Sequence, residues 1–290
     1  DPAPVLAQIA RHRATRMTAS PALVDRLVNA SGARAALATI ARIATGGGPV
    51  FPDLIARAHS VCGAEVVAVY GSTEAEPVAH LAERDLSSTD LIAMRGGAGL
   101  LVGSPVPEIA LRIAPRDATI VSALDQPPAP RVTGEIVVSG AHVVPGYLDG
   151  RGDAETKVRH GDRVWHRTGD LGYLDERGRL WLLGRATGAI DDERGTLYPF
   201  AVECAARLVV PGRTIAVAST SGKRLLLARQ RLGAGERAEL DVALRWASID
   251  LVVDECPIPL DRRHNSKVDY PALQRLLHGR AMARRIQRGR

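Results

Sequence analysis

A short polar run, Tyr70-Gly71-Ser72-Thr73-Glu74, directly follows an apolar segment over Glu65–Tyr70. The β-branched residues of that segment predict a buried strand that enters a tight turn. Ligands of α/β proteins bind where strands end, so hydroxyl groups here could bind phosphate oxygens. The Glu74 carboxylate could hold Mg²⁺, which prefers oxygen ligands. The alternative is an ordinary strand-to-helix turn capped by Ser72 or Thr73.

A second polar group surrounds Asp170 in the run Trp165-His166-Arg167-Thr168-Gly169-Asp170-Leu171. An aspartate beside a glycine at a strand end can accept hydrogen bonds from both vicinal hydroxyls of a ribose. Arg185, which follows a further predicted strand, could bind ribose or phosphate oxygens through two parallel hydrogen bonds. Asp175 and Gly178 have the residue types that a β-hairpin turn requires, and we assign them to such a turn.

The third candidate is Lys267, in the polar run between Pro259 and Asp269. Only 3 of the 38 basic residues are lysines, so a chain that uses arginine almost everywhere keeps a lysine here. An ammonium group is a compact charge that can contact a carboxylate and a phosphate oxygen together, whereas a planar guanidinium fits less well. Asp269 has the residue type that caps the helix predicted after it.

In this order, the three groups resemble the hallmarks of the adenylate-forming superfamily of acyl-CoA synthetases, peptide-synthetase adenylation domains and luciferases. The resemblance runs from about Gly46 to Asp269. Its motifs are Tyr70–Glu74, Gly134-Glu135-Ile136 through Gly140 to Gly146-Tyr147, Thr168–Leu171 with Gly184-Arg185, and Asn265-Ser266-Lys267-Val268-Asp269. Within the superfamily, Asp261–Val268 and Gly195–Pro199 look most like the β-lactone synthetases of olefin-type pathways.

The resemblance implies that one set of residues binds ATP. Tyr70 would stack on adenine, Thr73 would contact the α-phosphate and Glu74 would hold Mg²⁺. Asp170 and Arg185 would bind the ribose. The nucleotide-binding set is then Tyr70, Gly71, Ser72, Asp170 and Arg185.

The resemblance also implies how the acid is bound and activated. Gly46, Gly47 and Gly48 would line the acyl pocket, and Lys267 would contact the carboxylate and the α-phosphate oxygens. Attack of a carboxylate on a phosphate brings two anions together, so the reaction needs Mg²⁺ and a lysine to neutralise the developing charge. The catalytic set is then Lys267, Thr73 and Glu74.

The elements that must position these residues fall into two parts, so the predicted fold class is α/β and α+β. Residues 1–184 are predicted to form the C-terminal part of the large AMP-binding domain. Residues 185–290 are predicted to form a small, mobile α+β domain that carries the lysine loop and rotates about residues 185–188. Predicted helices cover 4–12, 21–30, 33–43, 52–61, 199–208, 237–246 and 271–278. Predicted strands cover 65–70, 109–113, 134–139, 165–166, 180–183, 214–218, 225–230 and 250–254.

Composition excludes several other classes of protein. The net charge is +6, but no basic stripe is interleaved with aromatic residues, so we expect no nucleic-acid partner. Three widely separated cysteines argue against a disulfide framework and a cysteine zinc site. No apolar run reaches the roughly 18 residues of a membrane-spanning helix. A cytoplasmic enzyme acting on small molecules is therefore predicted.

The leading hypothesis is ATP-dependent activation of a fatty or 3-hydroxy acid as an acyl-adenylate, followed by intramolecular β-lactone formation. The alternatives are a ligase that transfers the acyl group to CoA, and a catalytically incomplete nucleotide-binding fragment. The family's phosphate loop, which ends in Lys-Gly, is absent from these 290 residues. The chain opens with Asp1 and resembles the middle and end of a longer polypeptide, so a missing N-terminal segment or a partner chain would supply that loop.

Overall fold

The chain divides into two units in the computed structural model, which describes residues 1–261, 268–279, 282 and 286. The first unit contains residues 1–87 and 101–182, and the second contains residues 88–100 and 183–290. Residues 88–100 therefore group with the C-terminal half, although they lie within the predicted large domain. Assignment of the two units to the two domains of the family stays a prediction.

Ten α-helices occur in the described residues, together with three single-turn 3₁₀ helices at Glu83–Asp85, Ala186–Gly188 and Arg245–Ala247. The α-helices are α1 (Ala3–His12), α2 (Pro21–Val28), α3 (Ala33–Ala36), α4 (Pro52–Cys62), α5 (Ser88–Arg95), α6 (Ile120–Leu124), α7 (Asp153–Thr156), α8 (Pro199–Val209), α9 (Ala234–Ala243) and α10 (Tyr270–Leu277). Asp269 caps α10 as expected, because its side chain accepts a hydrogen bond from the Ala272 amide.

Fifteen strands form three sheets in the described part of the chain. The strands are β1 (Arg16–Ala19), β2 (Arg42–Gly46), β3 (Glu65–Ser72), β4 (Ala75–Ala82), β5 (Leu100–Pro105), β6 (Ala110–Ala114), β7 (Gly134–Ser139), β8 (Lys157–His160), β9 (Arg163–Leu174), β10 (Leu180–Arg185), β11 (Ile190–Asp192), β12 (Gly195–Leu197), β13 (Ile215–Thr220), β14 (Lys223–Ala228) and β15 (Leu251–Val253). The largest sheet has the order β1-β2-β3-β4-β5-β10-β9-β7-β6, with β8 paired to β9.

Parallel pairing of β1, β2 and β3 opens the large sheet. The helix predicted over 33–43 is wrong in its second half, since α3 ends at Ala36 and Arg42–Gly46 is strand β2. Residues 42–46 form a strand because pairing with β3 buries the β-branched side chains of Ile43 and Thr45 completely. A buried position in a sheet suits β-branched residues better than an isolated helix does.

The element after the Tyr70–Glu74 turn is a strand, whereas one of the two sequence interpretations expected a helix there. β3 turns back into β4, which pairs with it antiparallel, so the strand-to-helix alternative for this turn is wrong. The Asp175–Gly178 turn is confirmed: Gly178 has a φ of 72° and its amide donates to the Asp175 carbonyl. The Asp175 carboxylate accepts hydrogen bonds from the Arg179 side chain and the Trp181 indole.

The second unit is built on the three-stranded sheet β13-β14-β15. Consecutive side chains of a strand point to opposite faces, and Leu225 and Leu226 accordingly join two different hydrophobic clusters. Leu226 packs with residues of α8 and α9, and Leu225 packs with residues of α10. Asp192 ties the β11–β12 hairpin to this sheet, because its carboxylate accepts two hydrogen bonds from the buried Arg224 guanidinium of β14. The same contact holds the pKa of that carboxyl far below its usual range.

Candidate active site

The predicted acyl-pocket glycines lie beside the predicted nucleotide turn. Gly46 ends β2 opposite Val69 of β3, because parallel strands bring their C-terminal ends to the same edge of a sheet. A Cβ atom on Gly46 would lie 2.6 Å from the Val69 carbonyl oxygen, so only glycine fits this close approach. Gly47 and Gly48 continue from this edge.

The turn after β3 presents the polar groups that the sequence singled out. Tyr70 is half-buried, Gly71 lies against β4, and Thr73 is exposed at the tip of the turn. The Ser72 hydroxyl oxygen is buried and makes no hydrogen bond of normal geometry. It still lies close enough to the Glu74 carboxylate to favour its charged form.

A hydrogen bond joins the first two sequence groups. The Tyr70 hydroxyl donates to Asp170 Oδ2 at 2.8 Å, across a sequence separation of 100 residues. Tyr70 is on β3 and Asp170 is on β9, which stand four positions apart in the strand order, so the sheet must bend to bring them together. Two residues that sequence reasoning assigned to one nucleotide site are therefore neighbours in the first unit.

Glu135 shapes the irregular stretch of β9 that carries Asp170, a role that sequence reasoning missed. Its Oε2 accepts two hydrogen bonds from the Arg167 guanidinium, at 3.0 and 2.6 Å, and its Oε1 accepts the Gly169 amide at 3.2 Å. Gly169 has a φ of 71°, a conformation that favours glycine. The Thr168 hydroxyl donates to the Ile136 carbonyl and accepts from the Asp170 amide. The motif around Glu135 therefore fixes the backbone on which Asp170 sits.

Glu74 is held in place by residues of the segment 140–157. The Tyr147 hydroxyl donates to Glu74 Oε1 at 3.0 Å, and the Val144 amide donates to the Glu74 carbonyl at 2.8 Å. Partial burial opposes ionisation of Glu74, but the nearby Ser72 hydroxyl, its own backbone amide and the hydrogen bond from Tyr147 outweigh it, so its pKa is lowered. Glu74 is therefore a carboxylate at neutral pH.

The chemistry at Glu74 fits Mg²⁺ shared with a phosphate group. Within the described residues, no three His, Cys, Asp or Glu side chains cluster as a protein-only metal site would require. Mg²⁺ commonly binds one or two carboxylates and takes its other ligands from water and substrate phosphates. A single ionised carboxylate in a hydroxyl-bearing turn meets that requirement.

Lys157 and His166 form a polar pair next to Tyr147 that the sequence did not reveal. Lys157 Nζ donates to the Val144 carbonyl at 2.5 Å and lies 3.2 Å from His166 Nδ1. The ammonium also lies over the Tyr147 ring, 5.4 Å from its centroid. Burial and the nearby ammonium lower the pKa of His166, which is therefore a neutral hydrogen-bond acceptor for Lys157. The rarity of lysine in this chain was the one feature of the sequence that could have drawn attention to Lys157.

Two predicted site residues, Arg185 and Lys267, stay predictions. Arg185 is exposed at the end of β10 and belongs to the second unit. Lys267 lies outside the described residues. The cysteines Cys62, Cys204 and Cys256 are all free thiols. None of the helices in the part of the chain that the structure describes is long and apolar enough to cross a membrane.

Comparison with known proteins identifies the family of the chain. Residues 1–148 match the family described as AMP-binding enzyme. The chain is 32% identical over 290 residues to the olefin beta-lactone synthetase of Stenotrophomonas maltophilia (strain K279a), a match covering 92% of this chain and 52% of that protein. The chain thus spans about half the length of the curated relatives it matches, at 52% for each of two β-lactone synthetases.

Solved structures share the fold. The amide bond synthetase from Marinactinospora thermotolerans superposes with a TM-score of 0.74 at 23% identity, over 95% of this chain and 55% of that chain. The O-succinylbenzoate coenzyme A synthetase from Bacillus subtilis, in complex with ATP and magnesium ion, gives a TM-score of 0.68 at 25% identity, over 94% of this chain and 54% of that chain. The mixed α/β fold is that of the C-terminal portions of adenylate-forming enzymes. The family match, the fold and the ordered motifs agree, and the chain belongs to the AMP-binding enzyme family, within the adenylate-forming superfamily.

Proposed function

We propose that this protein activates a carboxylic acid with ATP, releases pyrophosphate, and closes the resulting 3-hydroxyacyl-adenylate to a β-lactone. The observation that carries the proposal is the hydrogen bond between Tyr70 and Asp170, which unites the predicted adenine and ribose residues in one unit. The same turn bears Glu74, which is charged at neutral pH. Acyl-pocket residues Gly46–Gly48 border this turn through the β2–β3 pairing.

In the first half-reaction, a carboxylate oxygen of the acid attacks the α-phosphorus of ATP. The bond from that phosphorus to the bridging oxygen breaks, and pyrophosphate leaves. Tyr70 and Asp170 position the nucleoside, with Arg185 as a second ribose ligand. Thr73 contacts the α-phosphate, and Lys267 neutralises charge on the attacking carboxylate and the phosphate. Glu74 would hold Mg²⁺, which supplies charge neutralisation at the phosphates when it is bound.

In the second half-reaction, the 3-hydroxyl oxygen of the acyl group attacks the acyl carbonyl carbon. The bond from that carbon to the AMP oxygen breaks, and the hydroxyl proton is released to solvent. Attack within one molecule avoids the entropy cost of bringing in a second reactant. Similarity to olefin β-lactone synthetases over 92% of the chain favours this step over thioester formation with CoA.

The function is tested with full-length protein, ATP, Mg²⁺ and paired acids with and without a 3-hydroxyl group. We expect pyrophosphate release with both acids, and a β-lactone in the mass spectrum only with the hydroxylated one. A CoA thioester formed from either acid would establish the ligase instead. Absence of pyrophosphate release with every acid would favour a catalytically incomplete nucleotide-binding protein.

Replacing Asp170 by alanine tests the nucleotide site directly. We expect AMP and ATP to bind with similarly weakened affinity, by roughly 10- to 100-fold, because a hydrogen bond to a charged group contributes about 1.5–3 kcal/mol. Isothermal titration calorimetry measures both affinities. Asp162→Ala, in the exposed turn between β8 and β9, is the matched control and should leave them unchanged. An unaltered AMP affinity in a folded Asp170→Ala protein would remove Asp170 from the site.

A further inference from the structure

Three elements of the first unit meet at the ammonium group of Lys157. Lys157 begins β8, His166 lies on β9, and Val144 and Tyr147 belong to the connection after β7. The ammonium donates to the Val144 carbonyl and to His166 Nδ1, and it covers the face of the Tyr147 ring. A compact ammonium makes these three contacts from a single nitrogen, whereas a planar guanidinium would spread them over several. This accounts for a lysine in a chain that has 3 lysines among 38 basic residues.

Both groups that Lys157 contacts in the 140–157 segment in turn contact Glu74. Tyr147 donates its hydroxyl proton to Glu74 Oε1, so one path from the ammonium reaches the carboxylate. Val144 donates its amide to the Glu74 carbonyl, so a second path reaches the backbone of the same residue. An adjacent bridge between Ala75 and Val143 reinforces this second path. The Lys157 ammonium is therefore linked to both the side chain and the main chain of Glu74.

We propose that Lys157 is a positioning residue, which orients the Glu74 carboxylate toward the divalent cation that accompanies the ATP phosphates. The inference rests on the proposed function and deepens it, since it assigns the orientation of the metal ligand to a residue outside the nucleotide turn. A cation over the Tyr147 ring attracts the π-electrons and polarises the phenol, which strengthens its hydrogen bond to Glu74. His166 stays neutral beside the ammonium and completes its hydrogen bonding.

The test measures binding and needs no turnover. The quantity is the ratio of the affinities of full-length protein for MgATP and for ATP in the presence of a chelator, measured by calorimetry. We expect Lys157→Met to lower this ratio about fivefold, with the affinity for AMP unchanged, because only the interaction with the metal depends on the orientation of Glu74. Tyr147→Phe should lower it to a similar extent. Lys157→Arg keeps the charge but not the geometry, and should restore the ratio only in part.

Two comparisons make the outcome decisive. In a Glu74→Gln background, Lys157→Met should have no further effect on the ratio, because Lys157 acts through Glu74. Lys223→Met, at a lysine on β14 of the second unit, is the matched control and should leave the ratio unchanged. If Glu74→Gln itself leaves the ratio unchanged, the metal assignment of the proposed function fails and this inference fails with it. The inference alone is overturned if Glu74→Gln lowers the ratio but Lys157→Met and Tyr147→Phe do not. It is also overturned if these two variants weaken the affinity for AMP as much as the affinity for MgATP.

Discussion

Replacing Lys267 by alanine is expected to slow acyl-adenylate formation by about 10²–10³-fold, the loss typical of removing one preorganised group that stabilises transition-state charge. The reacting carboxylate and phosphate are both anionic, and the ammonium is proposed to contact both as the new bond forms. The affinity for AMP should stay within about twofold of wild type, because an interaction made mainly in the transition state contributes little to product binding. Pyrophosphate release measures the rate, and calorimetry measures the affinity.

A charge-conserving variant and a control test whether the effect requires the compact ammonium group of Lys267. Lys267→Arg should recover only a small part of the rate, since a planar guanidinium does not replace a compact charge placed between two anions. Lys223→Ala is the control for loss of a lysine elsewhere in the chain. Pyrophosphate release at the wild-type rate from a folded Lys267→Ala protein would show that this residue has no part in the first half-reaction.

Sequence reasoning could single out the predicted nucleotide residues because their signal is local. Tyr70 ends one predicted strand, Asp170 follows another, and both stand beside glycine. Strand ends are where ligands bind in this architecture. Their hydrogen bond in the structure agrees with that interpretation. The direction of the chain after Tyr70 was harder to predict. Ala75–Ala82 contains a proline and only one β-branched residue, so its strand structure depends on pairing with β3 and β5.

The roles of Tyr147 and Glu135 were missed, although both residues stand in a motif of the resemblance, because their contacts are tertiary. Tyr147 is 73 positions from Glu74, and Glu135 is 34 positions from Gly169, so no local pattern connects either pair. Some signals were nevertheless present. Glu135 is a carboxylate directly before the apolar run Ile136–Val138, and a buried charge in such a place requires a partner. Spacing alone does not identify that partner.

Replacing Glu203 by glutamine is expected to abolish a loss of stability that the wild-type protein shows as pH rises. Glu203 is 8% exposed on α8, where its Oε1 accepts hydrogen bonds from the Val217 amide and the Tyr270 hydroxyl. Burial raises the pKa of its carboxyl from 4.5 to about 8, although both hydrogen bonds oppose the shift. Between pH 4.5 and about pH 8, folding is therefore accompanied by uptake of a proton at Glu203. The resulting stabilisation is fully present below pH 4.5 and is lost as pH rises through about 8.

Glutamine has the shape of the protonated carboxyl and cannot ionise, so the variant should keep both hydrogen bonds without this pH dependence. Between pH 5 and pH 8.5, the free energy of unfolding of Glu203→Gln should rise relative to wild type by on the order of 3 kcal/mol. Urea-induced unfolding followed by circular dichroism measures this difference at each pH. Glu239→Gln, at an exposed position on α9, is the matched control and should keep the wild-type slope. Parallel curves for wild type and Glu203→Gln would mean that the buried carboxyl is already ionised at pH 5, and that Tyr270 and Val217 stabilise its charge despite its burial.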